Sequence, residues 1–370
     1  MRDPSTNVTP LQADGPVQRV HSARYLDESF AQREVEQVFK RAWLVAGAAH
    51  SVPRTGDYFV FERLGESIVV VRDERGTVRA FHNTCRHRGS KLCEGHGRVD
   101  AIACPYHGWT YGLDGKLNHV PREEGFGGSL HRGRSGLSEV HCDTAFGFVW
   151  VNLGSKPPPL RETLGGLDAE LEPYLLEEMR PIAIHDEVVP ANWKAMLENA
   201  MDFYHVPFVH GRTINKHVDK GPDLSSYGDH TRQRLMIAPY GWRGRLDRRC
   251  TRGGPYSEEQ VSSLHKYMVF PNFLINVLPY HLTVMQAWPG PEVGTSTLRY
   301  AFCKRRGARG LELARVYATW LASRYILKED REILDRFQSG ITTRRTPVQI
   351  LHEEESAASH FHGVLNRWMK

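Results

Sequence analysis

Apolar positions between residues 57 and 151 recur in short alternating runs that are separated by polar turns. Alternation at every second position is typical of strands that bury one face. Four such runs are Tyr58–Phe61, Ser67–Val71, Val78–Phe81 and Phe146–Val151. Between the second and third runs, Asp73-Glu74-Arg75-Gly76 has the composition of a hairpin turn. The pattern predicts a small antiparallel β domain over residues 40–155, before the proline run Lys156–Pro159.

Helical periodicity appears before this domain and again beyond it. An amphipathic helix is predicted for Asp27–Trp43, beginning in an N-terminal segment (residues 1–39) that we expect to pack on the C-terminal domain. Residues 156–370 mix both periods, with a long helix predicted from Gly310 to Phe337. The strands predicted there are Pro181–Val189, Tyr267–Val277, His281–Ala287 and Ser296–Cys303. The fold class is therefore α+β: a small antiparallel β domain plus a larger α+β domain with helices around an antiparallel sheet.

Composition excludes several classes of protein. The chain has 370 residues, 40% apolar and 25% charged, which is ordinary for a soluble globular protein. Basic residues are scattered without a nucleic-acid-binding motif, and no apolar run approaches the length of a membrane span. The N-terminus lacks the apolar core of a secretory signal, and Cys93, Cys142, Cys250 and Cys303 have no disulfide framework spacing. We therefore expect a cytoplasmic protein.

Two cysteine–histidine pairs carry the strongest chemical signal. Cys85-Arg86-His87 and Cys104-Pro105-Tyr106-His107 are each followed by a glycine within two residues, and both lie within the small β domain. Two thiolates and two imidazoles on a pair of short loops match the ligands of a Rieske [2Fe–2S] cluster. Glycines after each pair allow backbone N–H groups to approach the cluster sulfurs. The alternative is a structural zinc site, but zinc sites usually place cysteine with cysteine and histidine with histidine.

A second constellation lies in the C-terminal domain. Within thirteen residues, Glu198, Asp202, His205 and His210 offer two carboxylates and two imidazoles. Non-haem Fe(II) oxygenases bind iron with two histidines and one carboxylate and leave open positions for O₂ and substrate. The acids have Lys194 as the only nearby cation in the sequence, so a metal is the expected partner for them. The alternative is a helix end with hydrogen-bonded core histidines.

The spacing of the two histidines requires a break in the helix. Asn192 is a plausible N-cap, and an apolar stripe of helical period extends from Trp193 to Tyr204. A continuous helix would not place residues five apart on one face. Pro207 predicts a bend after Val206 that returns His210 to the site.

Together these motifs resemble the Rieske non-haem iron oxygenase α subunits, the ring-hydroxylating oxygenase family. The resemblance extends from about residue 40 to the C-terminus and rests on the cluster motif followed by Glu-x₃-Asp-x₂-His-x₄-His. It implies that Cys85, His87, Cys104 and His107 bind the cluster. It also implies that His205 and His210 bind a mononuclear Fe(II). Asp202 would bridge His205 to the neighbouring subunit's His107. It lies one helical turn before His205, a position from which its carboxylate would also orient the His205 imidazole.

The third iron ligand follows from the resemblance alone. The family's ligand lies far downstream on a helix, and the run from Lys328 to Leu334, with Gln338, is similar to that segment. This nominates Asp330. Spacing leaves Glu329, Glu332 and Asp335 open, because charged residues on a long helix are usually solvated.

The family resemblance implies a terminal oxygenase component that takes electrons from a reductase or ferredoxin. The expected assembly is a homo-oligomer, a head-to-tail trimer in which the cluster of one subunit serves the iron of the next. A Rieske electron carrier without oxygenase activity is the alternative of another class. It would bind two irons per chain, whereas the oxygenase would bind three.

The sequence leaves the substrate open. We expect hydroxylation of a small aromatic or hydrophobic molecule, with Met196, Asn199, Met201 and Phe203 near the metal and apolar walls from the strands of residues 267–288. The alternative is N- or O-demethylation, including quaternary ammonium substrates, which aromatic side chains bind by cation–π contact. The glycine-rich segment Arg122–Gly136 is expected to be a mobile loop.

Overall fold

The computed structural model describes residues 8–10, 19–214, 222–236, 245–246, 248–249, 257–278 and 281–370. The chain divides into two compact units, one comprising Lys40–Thr163 and the other Met1–Phe39 with Leu164–Lys370. Among the described helices, none is long and apolar enough to cross a membrane.

The Lys40–Thr163 unit is built on a seven-stranded antiparallel sheet of order β3-β12-β11-β6-β5-β4-β7, with a second sheet of order β10-β9-β8. Its strands are β3 (Leu44–Ala48), β4 (Asp57–Arg63), β5 (Glu66–Arg72), β6 (Val78–His82), β7 (His96–Arg98), β8 (Ile102–Ala103), β9 (Thr110–Tyr111), β10 (Leu117–His119), β11 (Glu139–Ala145) and β12 (Phe148–Asn152). The small β domain that the alternating pattern predicted is therefore antiparallel throughout, and short helix α2 (Leu160–Thr163) ends it.

The predicted hairpin turn joins β5 to β6. The Asp73 carboxylate accepts hydrogen bonds from the backbone N–H groups of Arg75 (2.9 Å) and Thr77 (2.8 Å). It also accepts one from Arg79 Nε at 2.8 Å, although Asp73 is almost fully buried. Burial raises the pKa of Asp73, but Arg79 and the two backbone donors outweigh burial and hold it below its ordinary value.

The second unit contains an eight-stranded antiparallel sheet of order β1-β14-β15-β16-β17-β18-β19-β13. Its strands are β1 (Val8–Pro10), β13 (Met179–Val189), β14 (Asp223–Tyr227), β15 (His230–Met236), β16 (Ser263–Val269), β17 (Phe273–Leu278), β18 (His281–Pro289) and β19 (Ser296–Arg305), and a small sheet pairs β2 (Arg19–His21) with β20 (Val348–Ile350). Its helices are α1 (Glu28–Glu34), α3 (Leu167–Leu171), α4 (Trp193–Met201), α5 (Val206–Val209), α6 (Glu258–Ser262), α7 (Gly310–Thr342) and α8 (Ser356–Trp368). The α+β class is as predicted.

Two predicted elements differ from the structure. The single strand expected at Tyr267–Val277 is two strands, β16 and β17, joined by a turn that contains Pro271. Proline has no N–H to donate to a strand ladder, so the ladder breaks there. The helix expected at Asp27–Trp43 ends as α1 at Glu34 and continues as one wider π turn over Val35–Phe39. That turn keeps Val38 and Phe39 both buried.

Helix α4 is held at both ends. The Asn192 side chain accepts from the backbone N–H of Lys194 at 3.1 Å, as expected of an N-cap. At the other end, Gln233 and Lys266 from the sheet donate to the carbonyls of Met201 and Ala200. The last carbonyls of a helix have no partner inside it, so these sheet side chains satisfy them and fix where α4 ends.

Candidate metal centres

The two cysteine–histidine loops of the Lys40–Thr163 unit are built alike. In each loop the cysteine N–H donates to the carbonyl five residues later, Cys85 to Ser90 (2.8 Å) and Cys104 to Trp109 (2.7 Å). A glycine four residues after each cysteine donates to the cysteine carbonyl at 3.0 Å. These glycines, Gly89 and Gly108, have φ values of +81° and +70°, a conformation that side chains rarely adopt.

The loops bring the four predicted cluster ligands together. Cys85 and Cys104 are buried, and the rings of His87 and His107 are 4.7 Å apart. The Nδ1 atom of His87 is buried and has no hydrogen-bond partner among the described residues. An imidazole nitrogen left without a partner beside two buried thiols fits a metal-cluster ligand. The donor set therefore fits a Rieske cluster.

Neighbouring side chains shape this site. Tyr111 Oη lies 3.3 Å from Cys85 Sγ and accepts from the backbone N–H of Arg86 at 3.0 Å. Burial opposes ionisation of Cys104, but the backbone N–H groups of Tyr106 and His107 outweigh it and lower the pKa of its thiol. The lowered pKa favours the thiolate of Cys104, the form that binds iron.

The segment Arg122–Gly136 lies beside the cluster loops. Phe126 packs edge-on against His87 (5.8 Å between centroids) and Trp109 (5.7 Å), and Trp109 stacks on His87. Arg132 anchors the segment by donating to Glu123 and to the carbonyl of Asn118. The sequence offered no role for this segment, and the structure gives it one: it covers one side of His87.

The second constellation forms where α4 ends. Asp202 is the C-cap of α4, and its extended backbone (φ −72°, ψ 136°) starts a new direction of the chain. His205 and His210 then flank the short helix α5 at its two ends. Pro207 lies in the first turn of α5, where its missing N–H costs nothing, and Val206 is helical. The break therefore comes at Asp202 and not, as predicted, after Val206.

Three side chains converge at this point. The ligand atoms of His205, His210 and Asp330 all lie within 4.8 Å of one another. Asp330 Oδ1, from helix α7, is 2.9 Å from His210 Nε2 and 3.8 Å from His205 Nε2. Two imidazoles and one carboxylate at this spacing fit the Fe(II) facial triad.

Each imidazole is oriented by a carboxylate on its other nitrogen. Asp202 Oδ2 lies 3.0 Å from His205 Nδ1, and Glu329 Oε2 lies 2.7 Å from His210 Nδ1. Such partners fix the tautomer, so that Nε2 of each ring faces the centre. Thr213 Oγ1 donates to Glu329 at 2.9 Å, and Asn199 Nδ2 donates to Asp330 at 3.0 Å.

The structure separates Asp330 from the acids that spacing left open. Glu329 reaches the outer nitrogen of His210, Glu332 lies 3.9 Å from Lys328, and Asp335 is exposed. Sequence reasoning missed Glu329 and Asn199 as positioning residues. Helical spacing carried a signal for Asn199, because it lies three residues before Asp202 at the same end of α4.

Glu198 does not join this group, although the sequence placed it there. Its carboxylate accepts from Tyr25 Oη at 2.8 Å and lies 3.0 Å from His362 Nε2. Lys194 is fully buried against Glu34 at 2.9 Å. The buried partner expected for Glu198 is therefore a tyrosine and a histidine rather than a metal.

Charge at the site changes the titration of His210. Burial lowers the pKa of His210, but Asp330 and then Glu329 outweigh it and raise the pKa above its ordinary value. Burial likewise raises the pKa of Asp330, yet the hydrogen bond and charge of His210 lower it overall. When no metal is bound, both shifts favour a protonated His210 paired with an ionised Asp330.

An apolar cavity lies beside Asp330. Of the four pocket residues predicted from the sequence, Met196 and Asn199 line it, whereas Met201 and Phe203 do not. Met201 packs toward Thr231 with 3.8 Å between Sδ and Oγ1. Its other lining residues come from β13, α4, β18, β19 and α7: Glu187, Val189, Ala200, Met285, Leu298, Leu327, Arg331 and Leu334.

Comparison with known families identifies the class of protein. Residues 175–370 match the ring hydroxylating alpha subunit (catalytic domain), and residues 42–133 match the Rieske [2Fe–2S] domain. The first match covers more than half of the chain. The chain belongs to the ring-hydroxylating oxygenase α-subunit family and carries a Rieske domain. Membership implies a [2Fe–2S] cluster and a mononuclear iron, which the two donor sets fit.

Curated relatives act on different substrates. The glycine betaine monooxygenase oxygenase subunit of Chromohalobacter salexigens is 37% identical over 196 residues, 53% of this chain and 44% of the relative. In that match the chain spans less than half of the relative's length. The carnitine monooxygenase oxygenase subunit of Escherichia coli K12 is 26% identical over 94% of this chain and 92% of its own. The naphthalene 1,2-dioxygenase large oxygenase component of Pseudomonas putida is 36% identical over 51% of this chain and 43% of its own.

Solved structures share the fold. The quaternary ammonium Rieske monooxygenase CntA in complex with L-carnitine has a TM-score of 0.81 at 22% identity, covering 97% of both chains. Naphthalene 1,2-dioxygenase from Rhodococcus sp. has a TM-score of 0.78 at 19% identity, covering 95% of this chain and 94% of its own.

Proposed function

We propose that this protein is the terminal oxygenase component of a Rieske monooxygenase acting on a quaternary ammonium substrate. The observation that carries this proposal is the convergence of His205, His210 and Asp330 beside an apolar cavity. The similarity to glycine betaine and carnitine monooxygenase subunits supports the substrate class. The demethylating alternative is thus favoured over the aromatic substrate that we expected first.

The proposed reaction replaces one C–H bond beside the quaternary nitrogen with C–OH. One oxygen atom of O₂ enters the product, and the other leaves as water with two protons and two electrons from a separate reductase or ferredoxin. The hydroxylated carbon then releases the tertiary amine and a proton and becomes a carbonyl. When bound, Fe(II) with this ligand set activates O₂ for such an insertion.

The residues have distinct proposed roles. Cys85, His87, Cys104 and His107 hold the cluster; His205, His210 and Asp330 hold the iron. Asp202 and Glu329 orient the two imidazoles and keep Nε2 free of protons, and Asn199 orients the Asp330 carboxylate. Met196, Met285 and Leu298 exclude water from the cavity.

We also propose that the protein assembles head to tail with copies of itself. Tyr204 and Phe208, which flank His205, are 44% and 79% exposed. Tyr106 stacks on His107 and is 57% exposed. Large apolar side chains exposed beside each metal site favour a protein interface there.

The test is turnover by the cluster- and iron-loaded protein with a surrogate reductase, NADH and ¹⁸O₂. We expect glycine betaine or carnitine to give a tertiary amine and a carbonyl product, with ¹⁸O entering the hydroxylated carbon and water. A cis-diol from naphthalene and no amine product would instead support the aromatic candidate, which the match to the naphthalene dioxygenase component keeps in view. Absence of both products from a protein that holds three irons per chain would overturn the proposed substrate class.

A further inference from the structure

An ion pair lies where the inner cavity adjoins an outer groove. The cavity beside Asp330 and the groove along β13, β19 and α7 share four lining residues: Glu187, Leu298, Leu327 and Arg331. Glu187 Oε2 accepts a hydrogen bond from Arg331. The Glu187–Arg331 pair therefore lies where the outer groove adjoins the cavity beside Asp330.

The backbone dictates where this pair lies. Glu187 is on the side of β13 that carries His185 and Val189, whereas neighbouring Asp186 points the other way and pairs with Arg299 at 2.7 Å. Arg331 directly follows Asp330 on α7, so the proposed iron ligand and the ion pair are fixed by the same helical turn. Leu327 and Leu334, one turn to either side, line the cavity with them.

The outer groove is basic. Besides Arg331 it is lined by Arg324, Lys328 and His185, and Glu187 is the only acidic residue in its lining as the described part of the chain shows it. Tyr300 and Tyr325 also line the groove. A carboxylate suits the arginines, and a trimethylammonium group suits a carboxylate and aromatic faces.

We infer that the Glu187–Arg331 pair determines specificity for a zwitterionic substrate. Arg331 binds the substrate's carboxylate, and Glu187 binds its quaternary ammonium group. This inference rests on the proposed function and adds the residues that select among ammonium substrates. A zwitterionic substrate brings a carboxylate that takes the place of Glu187 beside Arg331. Its ammonium group takes the place of Arg331 beside Glu187. A molecule with the ammonium alone leaves Arg331 without its counter-charge.

Exposure makes this exchange possible. The Arg331 and Glu187 side chains are 46% and 39% exposed, so the pair is hydrated and its separation costs little. Binding of the substrate then removes water and strengthens the new contacts. Glu187 and Arg331 can therefore separate when a substrate binds, and their charges distinguish ammonium substrates that carry a carboxylate from those that do not.

The test compares binding and kinetics of the metal-loaded protein for glycine betaine, L-carnitine and choline, which carries the same trimethylammonium group and a hydroxyl in place of the carboxylate. We expect Arg331→Gln to raise Kd and KM for the carboxylate substrates about 10-fold to 100-fold. Choline binding should not weaken and can tighten, because choline leaves Arg331 without a counter-charge. Glu187→Gln should weaken all three. Calorimetry without reductase measures Kd in the absence of turnover.

Matched controls separate recognition from general charge effects. Arg336→Gln removes an exposed arginine from the same helix, and Asp186→Asn removes an acid from the other side of the same strand. Both should leave Kd unchanged. The charge-swapped double variant E187R/R331E keeps an ion pair, so it should keep the melting temperature of the wild type yet lose binding of the carboxylate substrates.

The outcomes distinguish this inference from the proposed function. Normal carboxylate binding by Arg331→Gln or by the swapped variant, with turnover intact, overturns the inference alone. Equal weakening of choline and the carboxylate substrates by Arg331→Gln assigns the pair a structural role and also overturns it. Failure of the wild type to bind or turn over any of the three compounds counts against both.

Discussion

Two carboxylates outside the proposed iron ligands set the chemistry of the imidazoles. The Glu329 hydrogen bond to His210 Nδ1 is 2.7 Å long, and Thr213 fixes it from the other side. We expect Glu329→Ala to weaken Fe(II) binding about 10-fold to 100-fold, because the imidazole loses its orientation and basicity. Glu329→Gln keeps an oxygen acceptor and should lose less. Chelator competition followed by iron analysis measures the affinity.

Variants of the neighbouring acids on α7 test which of them binds iron. Asp330→Ala should abolish iron binding, since its carboxylate lies near both Nε2 atoms. Glu332→Gln, on the exposed side of the helix, is the matched control and should leave iron binding unchanged. Iron retained by Asp330→Ala but lost by Glu329→Ala would exchange the two proposed roles.

Tyr111 carries a prediction for the cluster site. With the cysteines ionised, its hydroxyl donates to Cys85 Sγ and stabilises the added negative charge of the reduced cluster. We expect Tyr111→Phe to lower the reduction potential by on the order of 40 mV, the equivalent of one hydrogen bond of about 1 kcal/mol. Protein-film voltammetry measures this, with an unchanged visible spectrum as the control. An equal or higher potential would exclude the hydrogen bond as a tuning contact.

At the scale of elements, the β5–β6 hairpin depends on one buried carboxylate. Asp73→Ala leaves the N–H groups of Arg75 and Thr77 without their acceptor, which costs about 1–3 kcal/mol. We expect faster amide exchange in the peptide covering residues 68–82, measured by hydrogen–deuterium exchange. Asp73→Asn retains an acceptor oxygen and should exchange more slowly than the alanine variant. Equal exchange in the alanine variant and the wild type contradicts the argument.

The pH dependence of this hairpin follows from the lowered pKa of Asp73. The pKa of Asp73 is lower in the folded state than the value of about 3.9 in the unfolded state, so the ionised carboxylate stabilises the fold at pH above about 3.9. This stabilisation is lost as the pH falls through the folded-state pKa. The difference between Asp73→Ala and the wild type should therefore be full at neutral pH and shrink in acid.

Local patterns predicted the elements better than the contacts between them. Four strands of the small β domain (β4, β5, β6 and β12) and the N-cap at Asn192 follow from alternation and capping, which act over a few residues. The end of α4 depends on Gln233 and Lys266, far away in sequence, so the bend was misplaced at Pro207. Glu198 was misassigned for the same reason: Tyr25 and His362, at opposite ends of the chain, are its partners.

Part of the site could likewise be predicted from the sequence, and part could not. Unusual residue types at fixed spacing predicted both sets of histidines and both cysteines, because cluster and metal chemistry tolerates few alternatives. The Glu187–Arg331 pair was invisible, since charged residues on a strand and on a long helix are usually solvated. These two side chains meet because the fold places this part of β13 beside α7.

At the scale of the whole molecule, the proposed assembly requires that electrons cross between subunits. A His107→Ala chain lacks a cluster ligand and a Asp330→Ala chain lacks the proposed iron ligand, so each alone should be inactive. Coexpressed with different tags and purified through both, mixed oligomers should recover turnover, because in the proposed assembly a cluster on one chain would lie next to iron on another. Inactivity of mixed oligomers that contain both cofactors would place electron transfer within one chain.

Asp202 completes this test. Its carboxylate lies 3.0 Å from His205 Nδ1 and is part-exposed, so one oxygen orients the imidazole while the group can also face a neighbour. Adding Asp202→Ala to the His107→Ala chain, which carries the iron, should remove the recovered turnover and leave the spectrum of the partner chain's cluster unchanged. Adding it to the Asp330→Ala chain should have no such effect, since that chain supplies only its cluster. The asymmetry between these two placements separates a bridging role from a general loss of stability, which would affect both.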